Sequence, residues 1–145
     1  MKISTKGRYG LRALLDLAIH VEQNEVVTVL SISQRQDISK NYLEQVFSAL
    51  RKADIVNGVK GPQGGYTLND DPKNLTIGSI LRVLEGSLFD IGDTQEEGNI
   101  IQQCINKKVW MELNESINKV VDSITLYDLI EEYKKMHSDY LMFYI

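Results

Sequence analysis

The apolar positions of the chain change period several times, and each change marks an element. Leu11, Leu14, Leu15, Ala18 and Val21 recur at spacings of three and four. They predict a helix capped by Ser4 or Thr5 and running to about Val21. Glu25 to Val29 is rich in β-formers and predicts a short strand. Thr28 is placed to cap a helix over roughly Val29 to Gln36, and Asp37-Ile38 makes the turn that follows. Ser39 then caps a helix from Lys40 to about Ala53, with Leu43, Val46, Phe47 and Leu50 as its inward stripe. From Ile55 to Lys60 the pattern alternates. It breaks at Gly61-Pro62-Gln63-Gly64-Gly65 and resumes as a strand at Tyr66-Thr67-Leu68. The glycines allow positive φ and close backbone approach, and Pro62 stiffens the tip of the hairpin.

The second half is mainly helical. Asp70-Asp71-Pro72 punctuates the chain, and Thr76 caps a helix from Ile77 to about Glu85 with Ile77, Ile80, Leu81 and Leu84 inward. Gly86 ends it. Ser87 to Gly98 is acidic and glycine-bearing without a period, which predicts a mobile loop. Ile101 to Ile124 reads as one long helix whose seam is Val109, Leu113, Ile117, Val120, Val121 and Ile124. Thr125 caps a last helix from Leu126 to about His137. The tail Tyr140-Leu141-Met142-Phe143-Tyr144-Ile145 is strongly apolar.

The order short helix, turn, helix, glycine-tipped hairpin is that of a winged helix-turn-helix. The expected fold is mainly α with a small β-hairpin wing. Residues 1–72 are expected to form the DNA-binding domain, and 73–145 a dimerisation and regulatory region. A long apolar seam suits self-association, and a two-fold dimer matches two DNA half-sites.

Lys40, Asn41, Glu44, Gln45, Ser48, Arg51 and Lys52 lie off the buried stripe of the second motif helix. Amides pair with adenine, carboxylates accept from the cytosine amino group, and Lys or Arg reaches guanine or phosphate. Lys6, Arg8 and Arg12 sit near the start of the first helix. They either form a solvated face or hold DNA phosphate with the help of the helix N-terminus. Lys60 at the base of the hairpin suits a wing entering the minor groove.

Net charge is −4, but it is unevenly spread. Residues 1–66 hold nine Lys/Arg against six Asp/Glu, and the remaining 79 hold seven against fourteen. A basic front half on an acidic chain suits a polyanionic partner. No apolar run approaches the roughly 20 residues that span a bilayer, and the first ten residues lack the apolar core of a signal peptide, so a cytoplasmic protein with no membrane partner is expected. The single cysteine, Cys104, closes no disulfide within the chain. It reads as a small apolar residue, or as a redox sensor if its thiol is exposed and acidic. No nucleophile–base pair, metal-ligand spacing or phosphate loop is present, and the glycine run lies in a hairpin, so no enzyme activity is expected.

The blocks KISTKGRYGLRALLDLA, ISKNYLEQVFSALRKADIV, GPQGGYTL and IGSILRVLEG resemble the Rrf-type (Rrf-two) family of bacterial winged-helix repressors. The likeness runs over nearly the whole chain. It implies a homodimer with the long helix at its interface. It also implies DNA contacts from Asn41, Tyr42, Glu44, Gln45 and Arg51, and from Lys60 and the glycine-rich tip of the wing; Ser39, Lys40, Pro62 and Gly64 are further DNA-binding candidates on the same two elements. The family often has Arg in place of Lys60, and Lys lacks the planar guanidinium fork. One branch holds an iron–sulfur cluster through three closely spaced cysteines and a further ligand. This chain offers Cys104 alone there, with His20 and His137 in other segments, so no cofactor is expected. The opening MKISTKGRYGL and the ending Tyr140 to Ile145 are more similar to the cysteine-metabolism repressors of Gram-positive bacteria. That branch implies cysteine synthase as a partner, engaged here through Tyr144 and the free carboxylate of Ile145. The alternatives are an iron–sulfur or redox-sensing regulator of the same family, or an adaptor that no longer binds DNA.

Overall fold

The computed structural model describes residues 2–21, 26–62, 64–91 and 98–144. Helices α1 (Thr5–Val21), α2 (Val29–Gln36) and α3 (Lys40–Lys52) are followed by strands β1 (Val56–Val59) and β2 (Gly65–Leu68) and by α4 (Ile77–Glu85). A long rod then runs through α5 (Ile100–Ile105), a π-helical turn (Asn106–Trp110) and α6 (Met111–Ser123), and the chain ends in α7 (Leu126–Tyr144). The mainly helical fold with its hairpin wing is the one the sequence predicts. No described helix is long and apolar enough to cross a membrane.

Local chemistry sets the helix starts. Ser4, Thr28, Ser39 and Thr76 each accept, through the side-chain oxygen, the backbone N–H three residues on. Thr125 and Asp128 bond reciprocally, Thr125 N–H to Asp128 at 2.9 Å and Asp128 N–H to the Thr125 hydroxyl at 3.2 Å. Asp37 adopts φ 54°, a left-handed stop that turns the chain from α2 into α3.

The structure differs from the sequence reading at five places. The buried face of α1 is centred on Gly7, Gly10, Ala13, Leu14, Leu17 and Ala18, with Leu11, Leu15 and Val21 at its edge. Gly10 draws the face round, because a Cβ there would press on Leu84 and Val46. Only Val27 of the expected first strand is seen to pair, bridging to Tyr66, and Val29 already belongs to α2. Residue 25 of that stretch, and 92–97 of the expected mobile loop, lie outside the described residues. The loop's first part is packed, with Leu88 buried and Phe89 against Trp110 at 6.4 Å. Ile124 leaves the long helix for extended backbone, because its carbonyl accepts the Ile77 N–H at 2.8 Å. Finally, α7 continues past His137 to Tyr144, since no glycine or proline interrupts it there and Leu141 and Met142 favour the helix.

One hydrophobic core crosses residue 72 without a break. It joins Leu14, Leu17, Ile32, Leu43, Phe47 and Leu50 with Ile80, Leu84, Leu126 and Ile130. Among the described residues a single charged one is buried, Asp16, whose side chain is 1% exposed. Its carboxylate accepts Arg35 Nη2 at 2.7 Å, Arg35 Nε at 3.1 Å and Gln36 Nε2 at 2.8 Å. These donors all come from α2, so the cage clamps α2 to α1. Asp16→Ala should therefore lower stability by about 2–3 kcal/mol, less than the ~3–5 kcal/mol of a fully buried pair because Arg35 reaches water. Urea unfolding reads this, and a loss under about 0.5 kcal/mol would dismiss the clamp.

Candidate nucleic-acid interface

The inner face of α3 is sealed. Leu43, Phe47 and Leu50 are 0% exposed and Val46 1%, so the outer face is fixed in direction. That outer face presents Lys40, Asn41, Glu44, Gln45, Arg51 and Lys52 to solvent, with Ser48 half-buried among them. Ser39 accepts the Tyr42 N–H and pins the start of the helix. Lys40 Nζ lies 3.8 Å from Glu44, a loose exposed pair that yields readily to another ligand.

The start of α1 lies beside this face. Lys6, Asn41, Glu44, Gln45, Ser48, Ala49 and Lys52 line one open groove of about 700 Å³. Its shape is shallow and wide and its wall is polar, as suits a duplex edge better than an enclosed small molecule. The structure thus brings Lys6 together with the amide-bearing helix. Arg8 is exposed on the same first turn. Its guanidinium lies 5.8 Å from the Tyr9 ring centre and 3.5 Å from the Thr5 hydroxyl. Arg12 is committed elsewhere: its Nη2 donates to the Gln36 carbonyl at the end of α2, and it lies 5.1 Å from the Tyr9 ring.

Tyr42 differs from its neighbours. It is half-buried and packs edge-to-face on Tyr9, ring centres 6.3 Å apart. Its ring braces α3 against α1, because its place next to the buried Leu43 turns it toward the body. Ser48 and Lys52, off the stripe but absent from the DNA contacts the family resemblance implies, line the groove. Their signal was spacing, at three and seven residues beyond Gln45 on the same face.

The wing is built on backbone. β1 and β2 pair antiparallel from Val56↔Leu68 to Val59↔Gly65. Val27 extends the pairing on the other side of β2, exchanging bonds with Tyr66 at 2.9 and 2.7 Å. Tyr66 stacks on Phe47 at 5.0 Å, which ties the wing to the inner face of α3. At the tip Gly61 has φ 113°, and Gly64 N–H donates to its carbonyl at 2.9 Å. A Cβ on Gly64 would be driven into the Val59 carbonyl. Lys60 and Pro62 are exposed there. Arg51, Lys60 and Tyr66 share a cleft with Gly58, so the last turn of α3 and the wing form one continuous rim.

The seam of the long rod divides in two. Ile117, Val121 and Ile124 are half-buried against the core of their own chain. Val109, Leu113 and Val120 stay open at 41, 43 and 57% exposure, together with Ile101 and Ile105. The expected single seam is therefore a correction: α4 covers the face that carries Ile117 and Val121, and the adjacent face is left for another surface. Tyr144 ends α7, and Ile145 lies outside the described residues. Cys104 is exposed, and no group of three or more His, Cys, Asp or Glu among the described residues could hold a metal ion.

A family model described as Rrf2, iron-dependent transcriptional regulator, matches residues 3–132. The HTH-type transcriptional regulator CymR of Bacillus subtilis is 39% identical over 146 residues, covering 100% of each chain. The HTH-type transcriptional regulator IscR of Vibrio campbellii is 40% identical over 134 residues, covering 91% of this chain and 79% of that one. The solved structure of CymR (YrzC), the global cysteine regulator of B. subtilis, superposes with a TM-score of 0.78 at 36% identity, covering 91% of this chain and 98% of the other.

The wing's dependence on backbone contact is open to direct measurement. A Cβ at Gly65 would strike the Val27 carbonyl. Gly65→Ala should cost about 1–3 kcal/mol and deprotect the Val27 and Tyr66 amides in hydrogen exchange. Unchanged protection would mean that the Val27 bridge does not hold the wing.

Proposed function

The chain belongs to the Rrf2 family of transcriptional regulators, and from that premise we propose that it is a homodimeric, cytoplasmic repressor that reads operator DNA. It is a regulator and not an enzyme. The observation that carries the reading is the shared groove, in which Lys6 and the outer face of α3 line one open polar surface with the wing beside it. Asn41, Glu44 and Gln45 supply base-edge contacts, Lys6, Arg8, Lys40 and Arg51 phosphate contacts, and Ser39 the helix N-terminus at the backbone. Lys60, Pro62 and Gly64 follow the adjacent minor groove. Residues 1–72 carry these contacts and residues 73–145 the assembly, through the open side of the rod at Val109, Leu113 and Val120.

Full-length likeness to CymR supports genes of cysteine and sulfur metabolism as the targets. The long exposed end of α7 supports cysteine synthase as a partner. Residues 131–143 are exposed along α7, which runs on to Tyr144. The iron in the family's description finds no fit here. Cys104 is the sole cysteine of the chain, and one thiolate is far short of a four-ligand cluster set.

Two measurements test the reading. In mobility shifts on an upstream regulatory fragment, Gln45→Ala should narrow the gap between operator and unrelated DNA by about 1–3 kcal/mol. Lys60→Ala should weaken both alike and lower the salt slope by about 1. Binding that is indifferent to salt and to both changes would sink the DNA reading. Removing Tyr144 and Ile145 should abolish association with cysteine synthase while the mass of the dimer stays unchanged. Association that survives the truncation rejects that partner site.

A further inference from the structure

The rod is fastened to the DNA-reading body at two levels. The lower joint is backbone. Ile77 N–H donates to the Ile124 carbonyl and Leu126 N–H to the Leu75 carbonyl, both at 2.8 Å, so Thr76 and Thr125 pair as an antiparallel bridge. A joint of this kind fixes a point, and the apolar contact of Ile117 and Val121 with the core, being non-directional, limits the tilt of α6 without fixing its angle. The upper joint is a side-chain fork. Arg82 of α4 places Nη1 2.7 Å from Asp122 Oδ1 and Nη2 2.9 Å from Asp122 Oδ2, and the same Nη2 reaches Asn118 Oδ1 at 2.6 Å.

Asn118 and Asp122 are one helical turn apart, so the fork spans that turn and fixes rotation as well as tilt. The Asn118 amide donates to the Asn114 carbonyl at 2.8 Å and to its side-chain oxygen at 3.0 Å, which aims Asn118 Oδ1 at the guanidinium. Gly78 lies one turn before Arg82 on α4. A Cβ there would be driven into the Asp122 carboxylate, so the glycine lets the two helices close at this level. The side-chain hydrogen bond from Arg82 holds the Asp122 carboxyl below the usual carboxylate range, and the pair stays ionised at neutral pH. Both partners remain partly in water, at 38 and 45% exposure, where an ion pair adds little to folding stability. What a bidentate pair supplies in such a place is direction.

We infer that Arg82 is a positioning residue that fixes the angle between each DNA-reading body and its α6, and thereby the half-site separation that the dimer accepts. The inference rests on the dimeric DNA-binding reading given above. The leverage is large: across roughly 20 Å of domain, a tilt of about 10° shifts the far surface by roughly 3.5 Å, close to the rise of one base pair. Loss of the fork therefore blurs spacing while leaving each reading surface intact.

The test uses the full chain and a duplex selected by the wild-type protein from randomised DNA. That duplex is remade with its central spacer lengthened or shortened by one and two base pairs, and again with one half-site scrambled. The wild-type dimer should lose at least about tenfold in affinity on a one-base-pair change, since simultaneous engagement depends on geometry. Arg82→Ala should keep its helical circular dichroism, its dimer mass and its affinity for the single half-site, and should bind the spacer series with affinities within about threefold of one another. Asp122→Asn, which keeps the side-chain size, should level the series in the same way. The double exchange Arg82→Asp with Asp122→Arg should restore the peak. A wild-type spacing peak in Arg82→Ala, or an equal loss on the single half-site, would overturn the inference. A wild-type protein that binds half-sites with no spacing peak would overturn the dimeric reading beneath it, and one that binds no duplex would overturn the DNA reading itself.

Discussion

A helix can offer a polar face to DNA only if its other face is wholly taken up by the protein, and α3 meets that condition. Leu43, Val46, Phe47 and Leu50 are sealed against α1, α2 and α4, so Asn41, Glu44 and Gln45 have one orientation available. The surrounding elements are then explained by what they do for α3. The Phe47–Tyr66 stack attaches the wing, the Tyr9–Tyr42 contact attaches α1, and the left-handed Asp37 sets the turn from α2. Apolar contact holds the helix in place, while the polar links set directions.

The polar links occur where one element must meet another at a defined angle. The Asp16 carboxylate takes its cage of donors from α2, and Glu85 at the end of α4 accepts the Ser4 N–H at 2.8 Å and its hydroxyl, at the start of α1. Among the described residues no buried side-chain nitrogen or oxygen is left without a partner, as burial in a low dielectric demands. The two ends of α1 are therefore tied to different helices, and Lys6 and Arg8 stand on the end tied to α4.

What could be read in advance was what local chemistry decides. The caps at Thr28, Ser39, Thr76 and Thr125 need only neighbours three residues away, and each was legible in the sequence. The inward stripe of α3 was legible because its apolar and polar positions separate cleanly. Asp16 was not, because its charge is compensated by Arg35 and Gln36, some twenty residues on, and no periodicity announces that pairing. The division of the long seam was hidden for a similar reason: Leu113 and Ile117 are chemically alike, and only the placement of α4 decides which of them is covered. The extent of α7 was hidden because the apolar tail shows no separation of apolar and polar positions from which a helix could be read.

The π turn at Asn106–Trp110 carries one more residue per turn than its surroundings, with Met111 N–H reaching back to the Asn106 carbonyl. Each residue of an α-helix advances the face by about 100°, so an extra residue in a regular helix would rotate everything before it, Cys104 included, whereas the wider turn takes it up locally. A single-residue deletion there would let the turn relax to ordinary α geometry and leave the aspect of α5 nearly unchanged, whereas a deletion within α6 would swing it by about 100°. The aspect that Ile101, Ile105 and the thiol present is thus buffered against the loss of one residue in that turn.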